Sequence, residues 1–184
     1  LFRSYEKKPL FGWNICVTRS REQASSLKDK LSKLGAEVTS ISSIKIEKTS
    51  ENLDEYVEKL DKYDHIILTS VNGVNIFFHY LIEKNYDIRR LKAKFSVVGK
   101  ATKKALAQRG IQAYKMAREF VGEGLFEAIK GDLKPGEKVL IPCSSRSRTF
   151  LKDEIEALAL EVDRVHTYNT VPGKVQNKRS FDEV

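Results

Sequence analysis

Small polar residues follow four of the predicted strands, at the point where each strand ends and a helix begins. The four segments are Thr18-Arg19-Ser20, residues 69–73 (TSVNG), residues 98–102 (VGKAT) and residues 143–148 (CSSRSR). In an open parallel sheet, ligands bind beyond the carboxyl ends of the strands. Hydroxyl groups and free backbone N–H groups at helix N-termini suit an anion such as a carboxylate or a phosphate. These strand ends therefore predict an anion site.

The same residues have a second interpretation. Ser70 and its counterparts are also explained as helix N-caps, a position at which serine and threonine are favoured in any protein. A single strand end of this kind favours capping alone. Four of them in one chain favour an anion site without specifying the anion, and both interpretations stay open.

Motifs of metal, nucleotide or nucleophile chemistry are absent from the sequence. His65, His79 and His166 are scattered, and with Cys16 and Cys143 they offer no zinc-ligand spacing. There is no GxxxxGK[ST] loop, no GxGxxG after a strand and no GxSxG turn. We therefore expect no metal and no cofactor, and a site that binds and positions an acidic ligand.

The charge balance is basic. Lys and Arg number 33 against 25 Asp and Glu, which leaves a net charge of +8 and a pI near 9.4. Nucleic-acid binding is disfavoured, because the basic residues are spread along the chain rather than gathered in a stripe with aromatic residues between them. A solvated basic surface and a polyanionic small-molecule ligand both remain compatible with this charge.

Neither membrane nor secretory segments are predicted. No stretch approaches the ~20 apolar residues that a membrane helix needs, and residues 1–10 contain no apolar core of a signal peptide. Cys16 and Cys143 lie in or at the end of apolar runs, as buried reduced thiols do. We expect a cytoplasmic protein without a membrane partner.

Strand and helix patterns alternate along the whole chain, which predicts an α/β protein with parallel sheets. The predicted extended segments are 13–18, 37–46, 64–69, 95–98, 111–114, 138–141 (ended by Pro142) and 161–171. The predicted helices are 21–34, 52–60, 74–84, 101–108, 124–129 and 150–159.

Two long extended segments, 37–46 and 161–171, enclose a middle stretch with four strand–helix units. That is enough for a domain of its own, so we expect residues 41–163 to form a complete domain inserted into a first domain. Residues 1–40 and 164–184 supply only one strand, one helix and one returning strand. Since a parallel sheet needs helices on both faces, we expect the first domain to be incomplete in this chain, with the missing part beyond Val184.

The residues at the strand ends resemble motifs of the uroporphyrinogen-III synthase family. Residues 68–74 (LTSVNGV) resemble its T-S-x-N-x-V turn, and residues 97–102 (VVGKAT) its V-G-x-x-T turn. The other matching pieces are 17–19 (VTR), 34–38 (LGAEV), 120–125 (FVGEGL), 139–142 (VLIP) and 165–171 (VHTYNTV). Their order and spacing carry the resemblance. Residues 5–12 also resemble the linker to an upstream uroporphyrinogen-III methyltransferase in fused proteins.

The resemblance implies two α/β domains joined by two crossing strands, with the second domain inserted into the first. It implies a cofactor-free cyclase that converts hydroxymethylbilane, a linear polycarboxylate, to uroporphyrinogen III. In that reaction water is lost and the terminal pyrrole ring is inverted through a spiro intermediate. A fused or neighbouring methyltransferase is an implied partner. The departures from the family pattern are Cys143 in place of an arginine, Ala159 in place of a glycine, and a chain shorter than the family, which puts turnover by this chain in question.

Carried over residue by residue, the resemblance makes Tyr168 the candidate catalytic residue, orienting the leaving hydroxyl or the reacting ring. The candidate residues for holding substrate carboxylates are Arg19, Ser70, Asn72, Thr102, Ser145 and Arg148. Two other functions are weighed against the cyclase. One is a non-catalytic module on the same fold that binds a tetrapyrrole or another polyanion, and the more distant one is a nucleic-acid binder driven by the charge of +8.

Overall fold

The computed structural model describes residues 7–18, 21–41, 44–117 and 122–173 of the chain. Its strands are β1 (Asn14–Val17), β2 (Glu37–Ser40), β3 (Ile44–Lys48), β4 (His65–Leu68), β5 (Lys94–Val98), β6 (Lys115–Ala117), β7 (Lys138–Ser144) and β8 (Glu161–Pro172). Its α-helices are α1 (Arg21–Lys33), α2 (Val71–Glu83), α3 (Lys100–Ala107), α4 (Gly122–Ile129) and α5 (Phe150–Glu156). Within the described ranges, no helix is both long enough and apolar enough to cross a membrane.

Six of these strands form one sheet in the order β3-β8-β7-β4-β5-β6. The pairs β4–β5, β4–β7, β5–β6 and β7–β8 are all parallel. The central strand β4 is an uninterrupted apolar run after His65, and all four of its residues are buried. Such a strand is typical of a parallel sheet that is covered on both faces.

The two faces of this sheet carry separate apolar layers. Ile66 and Leu68 of β4 pack into one layer with side chains of α2 and α3. Ile67, which points to the opposite face, packs into the other layer with side chains of α4 and α5. The alternation of side chains between the two faces of a strand therefore decides which helices each residue contacts. The predicted α/β class with a parallel sheet is confirmed.

The chain divides into two compact units, Leu1–Ile46 with Thr170–Val184, and Glu47–Asn169. In the first unit, β1 pairs in parallel with β2 as a two-stranded sheet. The return to the first unit falls after residue 169 rather than after residue 163, the boundary expected from the sequence. The physical reason is that β8 continues to pair with β7 as far as the Ser144–Tyr168 pair. That the larger unit is an inserted domain stays a prediction.

Residues 52–60, expected to form a helix, instead form parts of two 3₁₀ turns, Ser50–Leu53 and Val57–Lys62. The predicted helix is wrong because the turns close through bonds to the third residue back, from the Asp54 N–H to the Glu51 carbonyl and from the Lys59 N–H to the Tyr56 carbonyl, both at 2.9 Å. In addition, the side chains of Thr49 and Asn52 donate to the backbone carbonyl of His166, at 3.0 and 2.8 Å. Leu53 and Leu60 are nevertheless both buried, as their spacing indicated.

Two strand predictions are also corrected. The strand expected at 111–114 lies later, at Lys115–Ala117, where Val97 of β5 pairs with Met116. The strand expected to end before Pro142 continues through it to Ser144. The register of β7 with β4 covers Val139 and Leu140, so the missing N–H of Pro142 lies beyond the paired part of β4 and costs no bond to that strand.

Ala159, at the turn into β8, has a φ of 61° and is exposed. The left-handed conformation costs a residue with a Cβ about 1–2 kcal/mol, and glycine escapes this cost at the expense of some chain entropy. We therefore expect Ala159→Gly to raise the free energy of unfolding by about 0.5–1 kcal/mol, measured by urea denaturation.

The matched control is Ala157→Gly, two residues earlier, where φ is −62° at the end of α5. There the same change brings only the entropy cost of glycine, so it should destabilise the chain by about 0.5–1 kcal/mol. Equal effects of the two substitutions would show that the backbone conformation of Ala159 contributes nothing.

Candidate functional site

The carboxyl ends of adjacent strands meet at one edge of the six-stranded sheet. Strand β4 ends at Leu68, and its neighbour β7 ends at Ser144. On the far side of β7, Ser144 pairs with Tyr168 of β8. The topology therefore brings two of the predicted residues, Ser70 and Tyr168, to the same edge from positions 98 residues apart in the chain.

Ser70 is the N-cap of α2, and its Oγ accepts a hydrogen bond from the Gly73 N–H at 2.9 Å. The same Oγ lies 2.9 Å from the Tyr168 hydroxyl. The capping interpretation of Ser70 is confirmed, while its role in an anion site stays a prediction. Because the cap fixes the serine side chain, the helix start also fixes the position of the tyrosine hydroxyl.

A register shift in β8 sets the direction of Tyr168. Cys143 pairs with His166, but the next residue, Ser144, pairs with Tyr168, so that Thr167 is an extra residue. The hydroxyl of Thr167 donates to the carbonyl of Cys143 at 3.4 Å, and Thr167 is fully buried. A β-bulge of this kind turns the following side chain relative to a regular strand, and here that side chain is Tyr168.

Burial raises the pKa of Tyr168, the hydrogen bond with Ser70 acts in the opposite direction, and the nearby Cys143 adds to the increase. Only 6% of the Tyr168 surface is exposed. The tyrosine therefore stays a neutral phenol at neutral pH, with one O–H to donate.

The loop after β7 is tied to β8 beside this pair. The Ser145 N–H donates to the Tyr168 carbonyl at 3.1 Å, and the Ser147 N–H to the Ser144 carbonyl at 3.0 Å. The Arg146 N–H approaches the Ser144 Oγ at 3.3 Å. The side chain of Ser145, a predicted carboxylate contact, is exposed, so its hydroxyl is open to solvent next to the tyrosine backbone.

Arg148, another predicted carboxylate contact, pairs with Glu123. Its two terminal nitrogens donate to the two Glu123 oxygens, both at 2.8 Å. Arg148 lowers the pKa of Glu123 chiefly through these hydrogen bonds. A carboxylate ligand would have to compete with Glu123 for this guanidinium, and the role of Arg148 stays a prediction.

The remaining predicted residues lie apart from these contacts. Asn72 is half-buried in the first turn of α2. Thr102 is buried in the first turn of α3, after Gly99, whose φ of 81° favours glycine. Arg19 lies outside the described residues. For all three, binding of a carboxylate stays a prediction.

The sequence interpretation missed a cluster of Cys143, Ser147, Arg164 and His166. One terminal nitrogen of Arg164, Nη1, lies 2.6 Å from His166 Nε2, and the other, Nη2, donates to the Ser147 carbonyl. Burial raises the pKa of the Cys143 thiol, and the nearby charge of Arg164 acts in the opposite direction. The alternation of Arg164 and His166 along β8 is the signal that the sequence offers, and it is equally typical of an ordinary strand.

This edge of the sheet offers hydroxyl donors and cations rather than metal ligands. Within the described ranges, no group of three or more His, Cys, Asp or Glu side chains is placed to hold a metal ion. The chemistry that the site residues support is hydrogen bonding to a leaving oxygen and electrostatic binding of an anion.

Comparison with known proteins gives a consistent result. Residues 25–184 match the family model of uroporphyrinogen-III synthase HemD. The chain is 36% identical over 172 residues to the porphyrin biosynthesis protein HemD of Ruminiclostridium josui. The aligned stretch covers 92% of this chain and 34% of that protein. It is 29% identical over 138 residues to the uroporphyrinogen-III synthase of Synechococcus elongatus, covering 74% of this chain and 52% of that protein.

Two further similarities concern a methyltransferase and the fold. The chain is 32% identical over 106 residues to a uroporphyrinogen-III C-methyltransferase of Bacillus subtilis, covering 58% of this chain and 22% of that protein. A crystal structure of a mutant uroporphyrinogen III synthase from the extremely thermophilic bacterium Thermus thermophilus superposes with a TM-score of 0.65 at 16% identity, covering 88% of this chain and 64% of that one. The chain thus spans about a third to a half of the length of the HemD and synthase relatives named above.

The raised pKa of Tyr168 predicts a loss of stability at alkaline pH. A group that binds its proton more tightly in the folded state contributes stability below its unfolded pKa, about 10 for tyrosine. This contribution is lost as the pH rises through the folded pKa. We expect Tyr168→Phe to lose less free energy of unfolding than the wild type between pH 8 and pH 11, by on the order of 1 kcal/mol.

Urea denaturation at the two pH values measures this difference. Tyr114→Phe is the control, because it removes a phenol from a tyrosine that is 42% exposed. The explanation fails if Tyr168→Phe and the wild type lose the same free energy over this range.

Proposed function

The chain belongs to the uroporphyrinogen-III synthase family, and from that membership we propose that it carries the cyclase chemistry of hydroxymethylbilane. In this reaction the linear polycarboxylate loses water and closes to uroporphyrinogen III with its terminal pyrrole ring inverted. The observation that supports the proposal most directly is the 2.9 Å contact between the Ser70 Oγ and the Tyr168 hydroxyl. It gives this edge of the sheet a positioned proton donor.

In the proposed arrangement, Ser70 donates to Tyr168. The Ser70 Oγ accepts the Gly73 N–H at 2.9 Å and keeps one O–H and one further acceptor position, so the 2.9 Å contact with Tyr168 permits either direction. With Ser70 as the donor, the phenol keeps its own proton for a substrate atom, and Ser70 positions Tyr168.

The proposed role of Tyr168 is to hydrogen-bond the hydroxyl that leaves as water. As the carbon–oxygen bond breaks, negative charge grows on the leaving oxygen, and a neutral donor stabilises this charge more in the transition state than in the bound substrate. Burial of the phenol supports this role, since it raises the pKa of Tyr168 and keeps the donor protonated.

Binding of the substrate carboxylates is proposed for the neighbouring strand ends. The candidates are Arg19, Asn72, Thr102, Ser145 and Arg148, together with the backbone N–H groups at the start of α2 and α3. The task of such residues is to fold a linear molecule so that its two ends meet, and holding reactive groups in contact lowers the barrier without any cofactor.

A uroporphyrinogen-III methyltransferase, fused or neighbouring, is the proposed partner that uses the product, in a cytoplasmic setting. The similarity to the Bacillus subtilis methyltransferase supports this partner. The intact mass of the protein purified from its source tests the fusion. A mass of 21.0 kDa excludes a covalent fusion, and a mass larger by a whole domain supports one.

The central test is Tyr168→Phe, which removes one hydroxyl and leaves the buried ring in place. We expect the initial rate of uroporphyrinogen III formation from hydroxymethylbilane to fall about tenfold to a thousandfold. The free energy of unfolding should change by only about 1 kcal/mol, the contribution of one hydrogen bond. Isomers I and III are separated chromatographically, because the uncatalysed reaction gives isomer I.

The matched control is Tyr80→Phe. Tyr80 is also buried, and its hydroxyl donates to Asp54 at 2.8 Å. The control should lose similar stability but no rate. If both variants lose rate only in proportion to unfolded protein, Tyr168 has a structural role. If the wild-type chain binds the substrate but forms no excess of isomer III, the non-catalytic binding module is the correct function for this chain.

A further inference from the structure

The carbonyl groups of His166 and Thr167 lie directly before Tyr168, where the pairing of β7 with β8 shifts register. Three donors from the segment after β3 bind these two carbonyls. The Thr49 N–H donates to the Thr167 carbonyl at 2.9 Å. The Thr49 Oγ1 and the Asn52 Nδ2 donate to the His166 carbonyl at 3.0 and 2.8 Å. Thr49 and Asn52 thus form a clamp on the backbone that precedes the tyrosine.

In a regular strand, the carbonyl groups of consecutive residues point alternately to the two neighbouring strands. The Tyr168 carbonyl accepts from the Ser145 N–H, directly after β7. The Thr167 carbonyl points the other way and accepts from the Thr49 N–H, directly after β3. Regular alternation would turn the His166 carbonyl to the β7 side, but the clamp binds it on the β3 side. The two side chains therefore satisfy a carbonyl that the bulge removes from the pairing of β7 with β8.

The clamp side chains bind β8 rather than stabilise their own turn. Thr49 precedes the 3₁₀ turn Ser50–Leu53, a position at which threonine usually caps the turn that follows. Its side chain makes no capping hydrogen bond there, and the hydroxyl bonds a carbonyl 117 residues further along the chain. Asn52, although exposed, bonds the same carbonyl from 114 residues away. Both side chains therefore act on the strand that carries Tyr168.

The clamp acts on the backbone of His166 and not on its imidazole. The Nε2 atom of that ring lies 2.6 Å from the Arg164 Nη1. Burial, followed by the charge of Arg164, lowers the pKa of His166, so the imidazole is neutral at neutral pH. Substitutions at Thr49 and Asn52 therefore test the backbone contact without changing the charge of the site.

We propose that Thr49 and Asn52 are positioning residues, which hold the bulge and so keep the Tyr168 hydroxyl 2.9 Å from the Ser70 Oγ. The inference rests on the proposed function and adds to it the residues that orient the candidate proton donor. Such a donor lowers the barrier only when it meets the leaving oxygen at the right distance and angle. Loss of the clamp leaves the His166 carbonyl without these donors and favours a regular register, in which Tyr168 is displaced along β7.

The experiment measures uroporphyrinogen III formation from hydroxymethylbilane by the full chain and its variants, per folded protein. Thr49→Val removes the hydroxyl with little change in shape and without loss of a capping bond. We expect kcat to fall about fivefold or more and KM to change less than about twofold, because the clamp positions the donor and is not proposed to bind substrate. Thr49→Ser keeps the hydroxyl and should restore kcat to within about twofold of the wild type. If Thr49→Val does not fold, Asn52→Ala, at an exposed residue, should lower kcat about threefold or more.

A double-mutant cycle shows whether the clamp acts through Tyr168. In a Tyr168→Phe background the positioned hydroxyl is absent, so Thr49→Val should lower the rate further by less than about twofold. A further fall as large as that in the wild type would overturn the inference, because the clamp would then act elsewhere. The control is Tyr80→Phe, which removes a 2.8 Å bond to Asp54 at the end of the same 3₁₀ turn. It should leave kcat within about twofold of the wild type.

A second measurement does not depend on turnover. In a chain labelled with ¹³C at tyrosine Cζ, the NMR resonance that Tyr168→Phe removes belongs to Tyr168, and it responds to the hydrogen bond of the hydroxyl with Ser70. In the double variant Thr49→Val with Asn52→Ala, this resonance should shift towards that of the exposed Tyr114, whereas Tyr80→Phe should leave it in place. An unchanged resonance in the double variant would overturn the inference.

The outcome is separable from that of the proposed function. A wild-type chain that forms no isomer III, but whose Tyr168 resonance shifts when the clamp is removed, supports the inference about position and removes the cyclase function. A chain that forms isomer III at the wild-type rate without the clamp keeps the cyclase function and removes the inference.

Discussion

The pairing of β7 with β8 is the interaction on which the rest of the site depends. It runs from Lys138 beside Glu161 to Ser144 beside Tyr168 and shifts register after Cys143. The regular part places Val139 and Val162 in one apolar layer, while the shift places Tyr168 against Ser70. A purely regular ladder would bury the same apolar residues with similar free energy, but Tyr168 would then lie one residue further along β7. The small irregularity therefore separates the part of the pairing that stabilises the fold from the part that builds the site.

The same segment combines two opposing requirements. Val162 and Val165 of β8 face opposite apolar layers, and burial of such residues stabilises the chain by about 25 cal/mol per Å² of apolar surface. Arg164 lies between them in the sequence, and none of the carboxylates in the described ranges pairs with its half-buried charge, which works against stability. Proteins accept such a cost mainly at sites that bind or react. The neutral imidazole of His166 limits the cost, because a second positive charge beside the guanidinium would add repulsion.

Hydrophobic pattern was enough to predict the α/β class and most of the elements. The pattern in α2 is clear because Val74, Phe77 and Leu81 repeat at helical spacing and are all fully buried. The hydrophobic pattern gave the wrong element at residues 52–60. Two 3₁₀ turns also bury both Leu53 and Leu60, and side chains at the first turn are bound to the backbone carbonyl of His166, far along the chain. Ser70 and Tyr168 were predicted singly, but their contact was not, because it depends on a bulge that no residue type marks. The cluster around Arg164 was missed for a related reason: the contacts of Arg164 with His166 and with the Ser147 carbonyl depend on neighbours that folding supplies.

The order of strands in the large sheet has one more consequence. The unit Glu47–Asn169 is entered through β3 and left through β8, which are neighbours in the sheet, and the Thr49 N–H donates to the Thr167 carbonyl at 2.9 Å. The two ends of this unit therefore lie side by side and are hydrogen-bonded to each other. A polypeptide whose ends meet in this way can be opened at a surface turn and rejoined by a short linker without breaking the sheet. The evolutionary counterpart is modularity: a unit with adjoining ends can be placed in a host loop with little disturbance to the host.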